Sequence, residues 1–336
     1  MSETPKVSSV VIAFNNEETV AECVESVLNQ QYSNSETFIV FDEGSTDDTR
    51  KRVQDLLVGN PDNLRLISVP HSGRSAARNI GWRAGAGEFI FFADADDVYN
   101  ADYLTKAIGA FSRADVGCVC VTGASLVQGS DFAPRMLKIY SALQQASRKD
   151  IDYVPTWAWV YRRRALVDTG GFDERLSQAE DKDLFERVRS LGYSAGVVSG
   201  VNWHHRRPTT NCTYFEKTFF GGVRRVPYLA KRKDYAGFIR STAIVWLALM
   251  SLIAGVIFPS SFLLTPLALL LLIGYRSCQT ARTLWRTTSD KVGLLLYPVF
   301  SLISHAISAS GTLLGLGEFY GSRIARRLDS RSAGRV

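Results

Sequence analysis

The segment Phe91-Phe92-Ala93-Asp94-Ala95-Asp96-Asp97 places three carboxylates directly after a short apolar run. Such a run predicts a buried strand, so the carboxylates lie where that strand ends. Carboxylates this close together repel one another unless a cation lies between them. Hard oxygen ligands of this kind suit Mg²⁺ or Mn²⁺ bound to a diphosphate. The alternative is a polar turn, because aspartate often caps helices and makes turns.

Apolar runs and helical periodicity alternate on both sides of this segment. This β-α-β-α order predicts an α/β fold, a mostly parallel sheet with helices on both faces. Ligands bind such sheets beyond the carboxyl ends of strands, where Asp42-Glu43 and the Asp94 to Asp97 cluster both fall. A helix is also expected from near Asp47, with Ser45 as its cap. The predicted strands are 7–13, 37–41, 64–69, 88–93 and 116–122, and the other predicted helices are 17–28, 75–84 and 102–112.

After about residue 123 the alternation loosens into a second lobe. A Gly-Gly turn at 170–171 and a helix over 181–191 are expected there, and the lobe ends in a basic cluster, 204–207. In that cluster Arg206 is a candidate for bidentate contact with a diphosphate. His205 is a candidate to complete the metal site. The alternative is that these are surface bases beside a membrane.

The charge of the chain is unevenly distributed. The 336 residues carry a formal net charge of +6. From Ser241 onward there are 9 Lys+Arg and 3 Asp+Glu, so the whole excess lies in the apolar C-terminal part. Basic residues at the edges of apolar segments indicate membrane topology, and the neutral remainder argues against nucleic acid as a partner. The polar start, MSETPKVSS, predicts no cleavable signal peptide.

The C-terminal part predicts contact with membrane lipids. Aromatic and basic residues interleave over 214–240, which favours a helix in the headgroup region; an amphipathic packing helix is the alternative. Residues 241–275 carry no charge and are interrupted by Pro259, which predicts two short membrane helices at about 241–258 and 261–275. A third uncharged stretch, 292–317, is long enough to span. The positive-inside rule places the N-terminal domain in the cytoplasm, but three spans then conflict with the basic tail. Either the tail lies outside, or the last segment is re-entrant.

Six motifs in order give the chain a specific resemblance. Over residues 7 to 208 it resembles the family 2 glycosyltransferases with the GT-A fold. The resemblance implies inverting transfer from a nucleotide-diphospho-sugar, dependent on Mg²⁺ or Mn²⁺. The motifs are Ile12-Ala13-Phe14-Asn15-Asn16-Glu17-Glu18, Phe41-Asp42-Glu43-Gly44-Ser45-Thr46-Asp47, Ala76-Ala77-Arg78-Asn79, Phe92-Ala93-Asp94-Ala95-Asp96-Asp97, Gly170-Gly171-Phe172-Asp173-Glu174 and Glu180-Asp181.

The resemblance also implies a role for individual residues. Asp181 matches the general base that takes the proton from the acceptor hydroxyl. Asp96 matches the metal ligand. The expected donor contacts are Phe14 and Glu17 bordering the nucleotide, Asp42 and Glu43 at the base, Arg78 at the phosphates and Asp94 at ribose or sugar.

Two positions depart from the family's pattern. Glu43 stands where a second aspartate is usual, which puts the base contact in doubt, and Phe14 lacks the hydroxyl of the usual tyrosine. The Gln-x-x-Arg-Trp motif of the family's processive polymerases is absent from the sequence, which favours single-sugar transfer.

The patterns together predict three regions. These are a catalytic domain over 1–210, an interface region over 211–240 and a transmembrane region with a basic tail over 241–336. We expect a multi-pass membrane enzyme with a cytoplasmic catalytic domain and a lipid-linked, polyisoprenyl acceptor. The alternatives are a polyisoprenyl-phosphate glycosyl synthase, a surface-polysaccharide glycosyltransferase, or a catalytically silent membrane scaffold.

Overall fold

The chain divides into two compact units, which we describe separately. The first unit comprises Met1–Leu126 and Lys149–Arg207, and the second comprises Val127–Arg148 and Pro208–Val336. The computed structural model describes residues 4–60, 62–121, 127–128, 131–147, 159–198, 203–205, 207–208, 210–233, 236, 239, 275, 282 and 290–333.

A seven-stranded sheet forms the centre of the first unit. Its order is β3-β2-β1-β4-β8-β6-β9, and β8 alone runs antiparallel to its neighbours in the ladders that the structure describes. The predicted mostly parallel α/β sheet is therefore confirmed. The strands of this sheet are β1 (Val7–Ala13), β2 (Ser35–Asp42), β3 (Leu64–Val69), β4 (Phe89–Asp94), β6 (Val116–Val121), β8 (Trp159–Arg162) and β9 (Ser194–Val198). Four short strands of the chain are not part of it: β5 (Asp97–Tyr99), β7 (Val127–Gln128), β10 (Trp203–His205) and β11 (Arg207–Pro208).

The direction of the strand order reverses at β1. The chain proceeds from β1 to β2 and β3 on one side, and β4 then returns to the other side of β1. Ile12 of β1 pairs with Asp94 of β4, and Ala13 pairs with Phe41 of β2. The carboxyl ends of all three strands therefore meet at one edge, which is the usual ligand position in a sheet of this kind.

Helices cover both faces of the sheet, as the alternating pattern predicts. Alternate side chains of β4 enter different cores: Phe91 packs with Val24 on one face, and Phe92 packs with Trp82 on the other. The helices of the first unit are α1 (Val20–Leu28), α2 (Thr49–Gly59), α3 (Arg74–Ala84), α4 (Tyr103–Gly109), α6 (Arg163–Thr169) and α7 (Glu180–Ser190). Those of the second unit are α5 (Phe132–Ser147), α8 (Asn211–Arg232) and α9 (Lys291–Ala333).

Two predicted helix starts are wrong. Helix α2 begins at Thr49, and Ser45 does not cap it, because the Ser45 hydroxyl donates to the backbone carbonyl of Asp42 at 2.8 Å. Helix α1 begins at Val20 rather than at Glu17. The reason is that the Glu17 carboxylate accepts from the backbone N–H of Asp48 at 2.8 Å, which commits both residues to a contact between loops.

Helices α5, α8 and α9 pack together in the second unit. Their shared apolar cluster contains Met136 of α5, Tyr214 and Phe215 of α8, and Leu294 and Phe300 of α9. Arg135 at the start of α5 makes a two-pronged ion pair with Asp290, which precedes α9. A charge-assisted contact therefore joins the start of α5 to the residue before α9.

Helices α8 and α9 approach each other through glycines. Helix α8 begins after Thr210, whose hydroxyl accepts from the backbone N–H of Thr213 at 3.2 Å. A Cβ on Gly222 of α8 would lie 2.1 Å from the carbonyl oxygen of Ser308, and one on Gly311 of α9 would lie 2.0 Å from that of Phe219. The two backbones are thus in direct contact, as in close helix pairs built on small residues.

This contact predicts opposite effects at two adjacent glycines. Gly222→Ala is expected to lower the free energy of unfolding by about 1–3 kcal/mol, because its methyl group overlaps α9. Gly221→Ala is the matched control, since a Cβ there meets nothing within 4 Å and alanine favours the helix by up to about 1 kcal/mol. Thermal unfolding of both variants in detergent measures the difference. Equal shifts in melting temperature would contradict the described packing.

Helix α9 contains the segment that fits a membrane span. Within the part of the chain that the structure describes, Lys291–Ser322 is the one stretch long and apolar enough to cross a bilayer, with a mean hydropathy of 1.7 over its most apolar 18 residues. Of those residues 28% are buried, so most of this surface faces outward. The predicted spans 241–258 and 261–275 lie outside the described residues, apart from the helical residue 275.

Candidate active site

Two loops interlock at the edge where β1 and β2 end. Asn15 has a positive φ of 51°, its backbone N–H donates to the Ser45 hydroxyl at 3.3 Å, and its side-chain oxygen accepts from the N–H of Thr46 at 2.8 Å. The Glu17 carboxylate makes the second link, to Asp48. Because these contacts fix the loop, they also fix the position of Phe14, which is 39% exposed.

An aromatic corner forms next to this loop. The ring of Phe14 stacks on that of His71, with centroids 5.0 Å apart and planes at 30°. His71 Nδ1 lies 2.9 Å from Asp42 Oδ2, and the same carboxylate accepts from the N–H of Gly44 at 2.9 Å. Asp42 is buried, whereas Glu43 is half-exposed and lies 3.8 Å from Arg50. The pair Asp42-Glu43 thus divides into a buried structural carboxylate and an outer one.

The three carboxylates after β4 differ in their surroundings. Asp97 is fully buried and accepts from the Tyr99 hydroxyl at 3.2 Å. Asp94 and Asp96 are partly buried. Burial raises the pKa of the nearby Cys23 thiol, and the charges of Asp97, Asp96 and Asp94 raise it further. The cluster is therefore a site of concentrated negative charge, which favours a cation.

Arg78 of α3 joins this cluster to a distant helix. It donates to Asp94 Oδ1 at 2.7 Å and to Glu180 Oε1 at 3.0 Å, and it is 5% exposed. Burial lowers the pKa of Arg78, but the charges of Asp94 and Glu180 outweigh this and raise it above its usual range. Both terminal nitrogens are engaged by carboxylates here, so contact with donor phosphates stays a prediction. We call Asp94, Arg78 and Glu180 the buried bridge.

Asp181 lies at the end of this bridge, in the first turn of α7. Ala179 before it has a left-handed φ of 59°, a strained conformation for a residue with a side chain. The Asp181 carboxylate accepts from the N–H of Lys182 at 2.6 Å. Burial and, to a smaller extent, the charge of Glu180 raise the pKa of Asp181 to about 6, against the opposing effects of the Lys182 N–H and the Arg78 charge. A carboxylate with such a pKa is suited to accept a proton near neutral pH.

Helix α3 fixes the segment that leads into α7. Ser75 donates to the carbonyl of Leu176 at 2.9 Å, and the Asn79 amide donates to the carbonyl of Phe172 at 2.9 Å. Gly171 has a φ of +81°, and a Cβ there would lie 2.5 Å from Asn79 Oδ1. These contacts join two motifs that are about ninety residues apart in the sequence. They explain why the first motif has an asparagine at position 79 and the second a glycine at position 171.

The predicted basic cluster is only partly described. Strand β10 pairs antiparallel with β5, and His205 is opposite Asp97. The backbone of His205 therefore lies beside the acidic cluster. The His205 side chain and all of Arg206 lie outside the described residues, so neither predicted contact is tested.

The acidic cluster fits a divalent cation by its chemistry. Among the described residues no three His, Cys, Asp or Glu side chains form a ready-made metal cage. Mg²⁺ sites often need none, because one or two protein carboxylates and the substrate phosphates complete the shell. Asp96 and Asp94 supply oxygen ligands of the required kind.

The mostly parallel α/β sheet, with an acidic cluster at the switch point of its strand order, is a GT-A-like fold. Similarity to a solved structure agrees with this fold: a mannosyltransferase from Pyrobaculum calidifontis, solved with GDP-Man and Mn²⁺, superposes with a TM-score of 0.58 at 18% identity, covering 92% of this chain and 88% of that one. Residues 8–170 match the family described as glycosyl transferase family 2. Just under half of this chain therefore matches a family 2 glycosyltransferase domain.

Curated relatives share this domain over part of their length. The pre-mycofactocin glycosyltransferase of Mycobacterium tuberculosis is 31% identical over 193 residues, 55% of this chain and 40% of that protein. The minor teichoic acid biosynthesis protein GgaA of Bacillus subtilis is 24% identical over 230 residues, 66% of this chain and 51% of that protein. The chain thus spans about half, or less, of these relatives.

The sequence patterns assign no role to two residues of this site, His71 and Glu180. His71 follows β3 by two positions, so the strand-end rule that found Asp42 also covers it, but a lone histidine after Val69-Pro70 carries no motif. Glu180 appears in a quoted motif, and its link to Arg78 spans 102 positions, which local patterns do not reveal.

Proposed function

We propose that this chain transfers one sugar from a nucleotide-diphospho-sugar to an acceptor hydroxyl, with inversion at the anomeric carbon. The observation that carries the proposal is the buried bridge, which connects the acidic cluster to the helix turn that holds Asp181. In an inverting transfer the attacking and leaving groups lie on opposite faces of the sugar. The buried bridge holds the leaving-group site and the proposed base, Asp181, at a fixed separation, which suits that geometry.

The donor is assigned to the edge of the sheet. Phe14, Asp42 and Glu43 surround the base, and Glu17 holds their loop. Asp96 would bind the metal with His205 as a second ligand, while Asp94, Arg78 and Arg206 would contact the sugar and the diphosphate. A bound Mg²⁺ or Mn²⁺ would neutralise charge on the departing diphosphate. The solved mannosyltransferase holds GDP-Man and Mn²⁺, which supports this assignment.

Asp96→Ala is expected to abolish the metal dependence of donor binding. The reason is that the variant lacks the carboxylate assigned to the cation. Calorimetric titration of a nucleoside diphosphate, with and without Mn²⁺, measures the effect, and the exposed Asp62→Ala is the control. If Asp96→Ala still bound the nucleoside diphosphate more tightly with Mn²⁺ than without it, a residue other than Asp96 would bind the metal.

The pKa of Asp181 predicts the pH dependence of transfer. Asp181 must be ionised to accept a proton, so the rate should rise with pH through about 6. Glu180→Gln removes a charge that raises this pKa, so the rising limb should move to lower pH. A pH profile of the turnover number for both proteins tests this. A limb that does not move would mean that another group titrates.

The acceptor is proposed to be a lipid-linked polyisoprenyl glycan at the cytoplasmic membrane face. The apolar helix α9 and the exposed bases of α8, including Arg232, support membrane attachment. On this proposal 1–210 is catalytic, 211–240 lies at the interface and 241–336 crosses the bilayer. A surface polysaccharide is the second candidate, since related proteins are named for teichoic acid and chondroitin synthesis. A polyisoprenyl-phosphate synthase shares the same donor chemistry.

The enzyme proposal is tested against a silent scaffold by turnover. Purified full-length protein is incubated with a panel of nucleotide sugars, with and without Mn²⁺, and release of the nucleoside diphosphate is followed. We expect metal-dependent hydrolysis of at least one donor. Absence of both turnover and donor binding would favour the scaffold.

A further inference from the structure

His71 is held on three sides although 61% of its side chain is exposed. Its Nδ1 lies 3.0 and 2.9 Å from the two carboxylate oxygens of Asp42, and its ring stacks on Phe14. A Cβ on Gly44 would lie 2.8 Å from the Cβ of His71, so the imidazole sits directly over this glycine. Exposed side chains ordinarily exchange between rotamers, whereas these contacts hold the ring in one orientation before any ligand arrives.

The contact with Asp42 also sets the proton position on the ring. An ionised carboxylate only accepts, so Nδ1 carries the hydrogen. Nε2, on the opposite side of the ring, is then an acceptor in the neutral imidazole. The Asp42 carboxylate is buried and already accepts from His71 and Gly44. Of the Asp42–His71 pair, Nε2 of His71 is therefore the acceptor that remains for a ligand.

We propose that His71 reads the nucleobase of the donor and selects bases that carry a ring N–H. This deepens the proposed function and rests on it. Uracil and guanine present such an N–H to an acceptor, and a hydrogen bond to Nε2 satisfies both groups. Cytosine and adenine present a bare ring nitrogen at the equivalent position, so two acceptors would face each other without a proton between them. The rings of Phe14 and His71 can stack on any nucleobase, so stacking does not discriminate between the four.

Glu43 is the rival acceptor in this corner. Its carboxylate is half-exposed and lies 3.8 Å from the Arg50 guanidinium, so water and a counter-charge both compete for it. His71 is fixed by protein contacts, while Glu43 is held by one long ion pair. The geometry therefore favours His71 over Glu43, and substitutions distinguish the two.

The experiment compares bases of equal ring size by titration calorimetry on the full chain with Mn²⁺. We expect UDP to bind about tenfold more tightly than CDP, and GDP about tenfold more tightly than ADP, as one hydrogen bond allows. His71→Phe keeps an aromatic ring but loses both nitrogens, so each ratio should fall to within about threefold. Phe14→Leu should weaken all four ligands and keep the ratios. Glu43→Gln should also keep the ratios.

Three results would overturn the inference: equal binding of each pair by the wild type, unchanged ratios in His71→Phe, or loss of the ratios in Glu43→Gln. None of these three results would contradict the proposal that the donor binds at this edge of the sheet. Failure of the folded wild type to bind any of the four ligands would instead overturn the donor proposal and this inference with it. Thermal unfolding of each variant confirms that the fold persists.

Discussion

Asp181→Asn is expected to reduce sugar transfer by about 10²- to 10⁴-fold, the usual contribution of a positioned general base. Asparagine has nearly the same shape and still accepts from the N–H of Lys182, but it cannot take a proton. Donor affinity should stay within about twofold, because Asp181 is assigned to the acceptor side. Steady-state rates and calorimetric donor binding, measured on one preparation, separate these effects.

Two outcomes would show that Asp181 has another role. A variant that transfers at near the wild-type rate would mean that the base is a different residue. A variant that loses donor binding and transfer equally would place Asp181 at the donor instead. The rising limb of the pH profile near 6 should also disappear in Asp181→Asn, a change that altered packing would not produce.

Arg78→Met has the second large expected effect, on stability. It leaves the buried Glu180 carboxylate and the Asp94 carboxylate without their shared cation, and breaking a buried ion pair in this way costs about 3–5 kcal/mol. Arg74→Met is the matched control. Arg74 belongs to the same helix and lies 3.6 Å from the same Glu180 oxygen, but its side chain is 52% exposed. Exposed pairs contribute about 0–1 kcal/mol.

Denaturant unfolding, followed by tryptophan fluorescence, measures both arginine variants. The expected result is a much larger loss for Arg78→Met than for Arg74→Met. Adding Glu180→Gln to Arg78→Met should recover part of the loss, because the buried carboxylate charge of Glu180 is then removed. Equal losses for the two arginines would mean that the buried bridge contributes little to the fold.

The central sheet was largely predictable from sequence because its strands are continuous apolar runs. Leu64–Val69 was predicted with the bounds observed, and the strand over Phe89–Asp94 differs by one residue at each end. Such runs are long enough to be distinguished from loops, and their carboxyl ends identify the edge at which ligands bind. Asp42 and Asp94 were found by that rule, which depends on strand ends alone.

Contacts between distant segments were not predictable in the same way. The pairs Arg78–Glu180 and Asn79–Phe172 join residues 102 and 93 positions apart, and nothing in the local pattern of either residue names its partner. The predicted starts of helices α1 and α2 are wrong for a related reason. Ser45 has the residue type of a cap, but its hydroxyl is used by the preceding turn, a competition that only the folded loop reveals.

The most direct test of the account is the anomeric configuration of the sugar that the enzyme first releases. Full-length protein hydrolyses an α-linked nucleotide sugar in the presence of Mn²⁺, and proton NMR records the free sugar during the first minutes, before mutarotation. We expect the β-anomer to appear first and Asp181→Asn to abolish its formation. Initial release of the α-anomer, or equal release by the Asp181→Asn variant, would contradict inverting transfer with Asp181 as the base.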